Sequence, residues 1–179
     1  MFHRKQIAQK LMWETLRRWN KTSPELDRIK FLKTVPFFNE LSAWQLKKVG
    51  EIVFERTYDA GEMIFEQGQP GAAIFLIMEG QVSVEIVKGK SSTNLATLQM
   101  GAFFGEMALL DEAPRSASAR SLEVTKTLAL YRNDLSRLIQ TDPLTACHIY
   151  HALARIVGDR LRSTNELVQA GEYVEKMGA

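Results

Sequence analysis

From residue 103 to 118 the sequence reads Phe-Phe-Gly-Glu-Met-Ala-Leu-Leu-Asp-Glu-Ala-Pro-Arg-Ser-Ala-Ser, which concentrates residues able to hold an anion. Gly105 lets a backbone approach a ligand closely. The stretch Glu106 to Leu110 has the length of one short helix, whose first N–H groups and dipole attract negative charge. Arg115, held by a following strand, can close over the same anion with a bidentate, charge-assisted fork. Glu106 beside a phosphate would be repelled unless it accepted hydrogen bonds from a sugar hydroxyl. A phosphorylated sugar satisfies all three residues, although the residues taken alone establish an anion site and no more.

Other chemistries fit less well. His148 and His151 stand at i and i+3, so one helix face can present both to a metal, but no third ligand of matching type is near. Every histidine lies outside the β region, so a metal-dependent enzyme of the cupin kind lacks its ligands. Ser116 and Ser121 have no histidine partner in that region, which disfavours acyl transfer. Cys147 sits in a helical, apolar context and reads as an inert core residue. No enzymatic activity is expected.

The elements that must position the anion site are punctuated by glycine, since seven of the eleven glycines fall between Gly61 and Gly105. Between them lie the β-type runs Phe54 to Tyr58, Met63 to Phe65, Ala73 to Met78, Val82 to Val87 and Leu95 to Leu98. Val82, Val84 and Ile86 alternate with Ser83 and Glu85, the period of a half-buried strand. A last β segment is expected over Leu122 to Tyr131. Helical patterns flank this region. Residues 3 to 20 place Ile7, Leu11, Trp13 and Leu16 together against largely basic neighbours. Ser23-Pro24 offers an N-cap and N1 pair for a helix through about Lys33. Ser42 and Gln45 have capping-box spacing, for a helix ending near Gly50. Asn133 or Asp134 can cap a short helix, and Asp142-Pro143 starts a longer one reaching Ala170. The predicted class is α+β, a β roll or jelly-roll-like barrel of about eight short strands flanked by N-terminal and C-terminal helices. Its parts are a helical arm over 1–35, the roll with its leading helix over 36–131, and C-terminal helices over 132–179.

Composition sets the outer bounds. A chain of 179 residues, 45% hydrophobic and 25% charged, suits one soluble domain with an appendage. It can bury about 70% of its unfolded surface, so no disulfide or metal staple is needed. The single cysteine suits a reducing compartment. No run of apolar residues is long enough to span a membrane, and charges occupy the N-terminus where a secretory signal needs its apolar run, so a cytoplasmic location is expected. The net charge of +2 hides an asymmetry: residues 1 to 21 carry six lysines and arginines against Glu14 alone, leaving a slightly acidic body. That argues against a general nucleic-acid surface. The basic arm, with Trp13 and Trp19, can lie on an anionic membrane surface, dock on a partner, or pack on its own domain.

The segment Phe104-Gly105-Glu106-Met107-Ala108-Leu109-Leu110 with Pro114-Arg115-Ser116-Ala117 resembles the phosphate-binding cassette of cyclic-nucleotide-binding domains. Such domains occur in cAMP-dependent kinase regulatory subunits, cyclic-nucleotide-gated channels and the catabolite activator protein. The resemblance runs from about Phe37 through Val168 and includes Ala73 to Val82 with its Gly80 turn. It implies Glu106 on the ribose 2′-hydroxyl, Arg115 on the cyclic phosphate, and backbone N–H groups near Met107, Ala108 and Ala117 in support, with Gly105 letting the backbone come close to the ligand. Val84 and Leu98 match positions lining the pocket. Ser116 matches a position where relatives with Ala tend to bind cAMP and those with Thr cGMP, while the catabolite activator branch carries Ser with cAMP. The implied ligand is therefore cAMP, with cGMP the alternative, and no further cofactor.

Arg160 to Val168 is similar to the dimer helix of the catabolite activator branch. There the residue matching Thr164 contacts the adenine and the next, here Asn165, reaches the base of the partner subunit. Leu153, Val157, Leu161, Thr164 and Val168 form one helical stripe, which covers the roll or forms a homodimer seam. The eleven residues after Val168 are too few for a helix-turn-helix, so no DNA-binding module is expected and the effector is an unknown protein. The expected function is a cyclic-nucleotide sensor that signals by helix rearrangement. The alternative is a ligand-free family member acting as an interaction module.

Overall fold

Ser42 and Gln45 close the capping box their spacing predicts. Ser42 N donates to Gln45 Oε1 at 2.9 Å, and Gln45 N donates to Ser42 Oγ at 3.4 Å. In the computed structural model, which describes residues 24–89 and 91–177, this box opens the second of four helices. They are α1 (Pro24–Thr34), α2 (Ala43–Ile52), α3 (Arg132–Thr141) and α4 (Pro143–Met177), with a single 3₁₀ turn over Pro36–Phe38 after α1. The amphipathic pattern of 3 to 20 and the Ser23 cap lie outside the described residues. The described part of the 1–35 arm joins the core: Leu32 and Val35 are fully buried, Arg28 donates to Gly50 O at 2.9 Å, and Lys33 donates to Leu41 O at 3.0 Å.

Eight strands follow: β1 (Val53–Tyr58), β2 (Met63–Phe65), β3 (Ala73–Glu79), β4 (Gln81–Lys88), β5 (Ser91–Gln99), β6 (Phe103–Phe104), β7 (Ser118–Ser121) and β8 (Thr125–Tyr131). They form two four-stranded sheets, ordered β1-β8-β3-β6 and β2-β7-β4-β5, an open roll rather than a closed barrel. All pairings are antiparallel. The apolar run of β3 is explained by burial on both faces. Ile74 and Leu76 join the helices in one core, while Ala73, Phe75 and Ile77 join Val82, Phe104 and Ala119 in the interior of the roll.

Three expectations need correction. The β segment predicted over Leu122 to Tyr131 begins later, at Thr125 as β8, and a strand the prediction did not contain, β7, precedes it over Ser118–Ser121 in the other sheet, because the chain bends and changes sheets at 122–124. That bend packs against the Gly80 turn, where the β3–β4 connection changes sheets as well. A Cβ on Gly80 would sit 2.8 Å from Val124 O, and its φ of +92° belongs to glycine. Neither Asn133 nor Asp134 caps α3. The helix begins at Arg132, directly off β8, with Tyr131 at the cap position and no side-chain cap bond; Asp134 instead pairs with Arg137 at 2.7 Å. The last helix passes Ala170 and runs to Met177. Its start is as expected: Asp142 Oδ1 accepts from Thr145 N at 3.2 Å and Oδ2 from Thr145 Oγ1 at 2.6 Å, with Lys48 of α2 at 3.5 Å.

Candidate functional site

The segment that interrupts the strand rhythm folds as a 3₁₀ turn over Glu106–Leu109, entered from Gly105 at φ +74°. That left-handed backbone suits glycine, and the space demands it, since a Cβ there would lie 2.6 Å from Arg115 Nη1. Arg132 at the head of α3 secures the turn from behind, donating to Ala108 O at 3.3 Å and to Asp111 O. In front of the turn opens a cavity of about 600 Å³, walled by the turn, by β4 and β5, and by α4. This is the size range of small-ligand pockets.

Arg115 is not carried by a strand, as expected, but by a loop three residues before β7, clamped by the turn after β2. Arg115 N donates to Gln69 O at 2.8 Å, and Gly68 N donates to Arg115 O at 2.8 Å. The residue is 9% exposed. Its Nη1 donates to Gly105 O at 3.1 Å and its Nη2 to Ala73 O at 2.9 Å, while Cζ lies 4.0 Å from the centroid of Phe65. Phe65, Phe75 and Phe104 make an aromatic floor beneath it, with the last two stacked at 5.4 Å. Burial pulls the guanidinium below its ordinary pKa and the carboxylate of Glu106 opposes that shift. Nε is buried with no hydrogen-bond partner among the described residues. Gly71 leaves room for this arrangement, since a Cβ there would be 2.8 Å from Ala108 Cβ and 3.3 Å from Nε. A delocalised cation held against apolar rings, with a donor to spare, is suited to an anion that replaces lost hydration.

Glu106 is 5% exposed and lines the same cavity. Its Oε1 accepts from Arg160 Nη1 at 2.5 Å, and Arg160 stands on α4 with its Cζ 5.3 Å from the ring of Phe103. One wall of the cavity therefore presents a cation, a carboxylate and a helix-borne cation in sequence. The opposite part is apolar, formed by Val84, Leu95, Ala96 and Leu98. Leu95 is there because β5 carries an extra residue where the pairing shifts from Val84–Ala96 to Glu85–Asn94, a bulge that re-aims side chains.

Of the residues singled out from sequence, Gly105, Glu106, Met107, Ala108, Arg115, Ser116, Ala117, Val84, Leu98 and Thr164 line this one cavity. Asn165 does not; it is exposed one position round the helix. Thr164 Oγ1 donates to Arg160 O at 2.8 Å. Sequence reasoning missed Arg160, Gly71, Phe65 and Arg132. The turn Gln67-Gly68-Gln69-Pro70-Gly71 reads in the sequence as punctuation between strands, and nothing local connects it to Arg115. Among the described residues no group of three or more His, Cys, Asp or Glu can hold a metal ion. His148 Nδ1 is 2.8 Å from Leu144 O, within its own helix. Cys147, expected in the core, is exposed, because the buried face of α4 is set by Ala146, Ile149 and Leu153. No helix among the described residues is long and apolar enough to cross a membrane.

Residues 55–142 match the family described as Cyclic nucleotide-binding domain. The Cyclic AMP receptor protein of Thermus thermophilus is 38% identical over 135 residues, covering 75% of this chain and 61% of that protein. A cAMP-dependent protein kinase regulatory subunit of Mycosarcoma maydis is 38% identical over 96 residues, covering 54% of this chain and 18% of that protein. The crystal structure of the Thermus thermophilus Catabolite Activator Protein superposes with a TM-score of 0.68 at 36% identity, over 75% of this chain and 62% of that one. The chain thus spans less than two thirds of the length of these relatives.

Proposed function

Because this chain belongs to the cyclic nucleotide-binding domain family, with the match lying over residues 55–142, we propose that its cavity binds a cyclic nucleotide, with cAMP preferred to cGMP, and that α4 reports occupancy by moving. The observation that carries this reading is the buried guanidinium of Arg115 and the buried carboxylate of Glu106 on one cavity wall. A phosphate needs the first and would be repelled by the second; a sugar hydroxyl needs the second. A phosphate fused to a ribose satisfies both, and the apolar wall of Val84, Leu95 and Leu98 suits the flat faces of a base. The preference for cAMP is supported by Ser116 in the cavity and by the relatives, which are named for cyclic AMP. The function is recognition, with no bond made or broken.

Thr164 and Arg160 place α4 at the mouth of the cavity. A ligand shifts that helix only by binding its docked and undocked positions differently. Beyond the cavity Leu161 is 60% exposed, which supports a homodimer through this half of α4, with an effector protein reading the result. Calorimetric titration of the purified protein with cAMP and then cGMP tests the ligand. One-site binding, tighter for cAMP, is expected. No heat and no thermal stabilisation with either nucleotide would overturn the reading in favour of an interaction module that takes no ligand.

A further inference from the structure

Four connections of the roll meet at one end of it. The β1–β2 turn joins the bend after β7, since Gly61 N donates to Ser121 O at 2.9 Å. That bend joins the β3–β4 turn, where Leu122 N donates to Gln81 O at 2.9 Å. Gln81 in turn pairs with Gln99, the last residue before the β5–β6 turn. These connections hold exposed apolar side chains, with Met100 at 70%, Val124 at 58% and Leu122 at 48%. The same connections hold the exposed carboxylates of Asp59, Glu62, Glu79 and Glu123. The cations beside them are Lys126, 3.2 Å from Glu79, and Arg120, which donates to Gly61 O at 2.8 Å. Clustered apolar side chains set among polar ones mark an interaction surface, and an excess of carboxylates selects a basic, amphipathic occupant.

A segment of that kind belongs to this chain. Residues 1 to 21 carry six lysines and arginines against Glu14 alone, with Ile7 and Leu11 at helical i, i+4 spacing. This arm joins α1 at Pro24, one turn before Arg28, whose side chain donates to Gly50 O beside the α2–β1 junction. Its root therefore lies toward the Val53 end of β1, while the acidic turn follows the Tyr58 end. The strand spans about 20 Å, and residues 3 to 20 wound as a helix would span about 27 Å, so an arm laid along β1 reaches the acidic end. β1 is open to it: among the described residues this outer strand pairs with β8 alone, and Phe54 on it is 46% exposed. Covering an open strand edge with a helix is one way proteins blunt it. Tethering also holds the arm near this surface at about millimolar effective concentration, which favours it over a partner in solution. We propose that the N-terminal arm of this chain docks along β1, with Ile7 and Leu11 on the Leu122–Val124 bend and Lys5 and Lys10 against the carboxylates around it. The inference is independent of the nucleotide.

The experiment is zero-length carbodiimide cross-linking of the full chain at low ionic strength, with peptide mapping, on an equal mixture of light and isotopically heavy protein. Lys5 or Lys10 is expected to link to Asp59, Glu62, Glu79 or Glu123 within single chains, light to light and heavy to heavy. Leu122→Ser with Val124→Ser, which leaves every linking group in place, is expected to lower the yield of those links. Hydrogen exchange supplies a second measurement: Ile7→Ser with Leu11→Ser is expected to speed exchange across 59–62, 99–102 and 122–124 by about tenfold. Unchanged thermal melting shows that each variant is folded, since all the substituted positions are exposed or outside the core. Links confined to other carboxylates overturn the inference, as does an absence of links together with exchange that the arm variant leaves unaltered. Links found chiefly in light-to-heavy pairs overturn it in favour of the arm of a second copy. Binding of the wild type to phosphatidylserine-rich vesicles, lost in Ile7→Ser with Leu11→Ser, assigns the arm to membrane surfaces and overturns it as well.

Discussion

Replacing Arg115 with alanine separates what the cavity binds from what holds it together. In the folded protein Arg115 is 9% exposed, and its guanidinium donates to Gly105 O at 3.1 Å and to Ala73 O at 2.9 Å and rests 4.0 Å above the Phe65 ring. Two net hydrogen bonds at about 1 kcal/mol each set an upper bound of about 2 kcal/mol on the stability loss, which water entering to satisfy the carbonyls reduces. For a chain of this size even the full loss of about 2 kcal/mol lowers Tm by no more than about 4–8 °C. Binding is expected to suffer more. Removing one partner of a desolvated charge pair costs about 2–5 kcal/mol, which is about 30-fold to a few thousandfold in Kd for cAMP. Arg115→Lys keeps the charge and loses the fork, so it is expected to fall between the two. Calorimetry measures the affinities, and circular dichroism with thermal melts confirms that each variant is folded. A folded Arg115→Ala protein that binds cAMP within about threefold of wild type, against the 30-fold minimum, would refute the assignment of the phosphate to this residue.

Gly105→Ala places a Cβ 2.6 Å from Arg115 Nη1 at a φ of +74°; a left-handed alanine costs about 1–2 kcal/mol, so Tm and cAMP affinity are both expected to fall, and wild-type values for both would contradict the packing argument. Thr164→Ala is expected to weaken cAMP by about 0.5–1.5 kcal/mol if its hydroxyl meets the base; an unchanged titration would contradict that role for Thr164. The hydroxyl of Thr145, then its backbone N–H and Lys48, hold the carboxyl of Asp142 below its ordinary 3.8. A carboxylate with a depressed folded pKa contributes stability fully above its unfolded value and loses it as pH falls through the folded one. Urea unfolding is therefore expected to show wild type more stable than Asp142→Asn by about 0.5–1 kcal/mol at pH 7, with the gap closing below about pH 4; a gap that stays constant to pH 3 would argue against this linkage.

What the sequence alone determined is what depends on neighbours a few residues apart. The capping box at Ser42 and Gln45, the start of α4 at Asp142-Pro143, and the strands cut by Gly61, Gly68, Gly80 and Gly101 are local, and each forms where its residue types predict. The cassette was legible for the same reason, since Gly105, Glu106 and Arg115 share one short segment whose residue types suit an anion and a hydroxyl. The tertiary structure decided everything that depends on how distant segments meet. The strand expected from Leu122 starts only at Thr125, and Ser118–Ser121 before it joins the other sheet, because the chain crosses between sheets at 122–124, which no periodicity within the segment encodes. Arg115 owes its burial and orientation to Phe65, Gly68, Gln69 and Ala73, brought beside it by the turn after β2. The Glu106–Arg160 pair has no trace in local pattern: an arginine on an exposed helical stretch reads as a solvated charge until α4 folds back over the roll and sets it against a buried carboxylate.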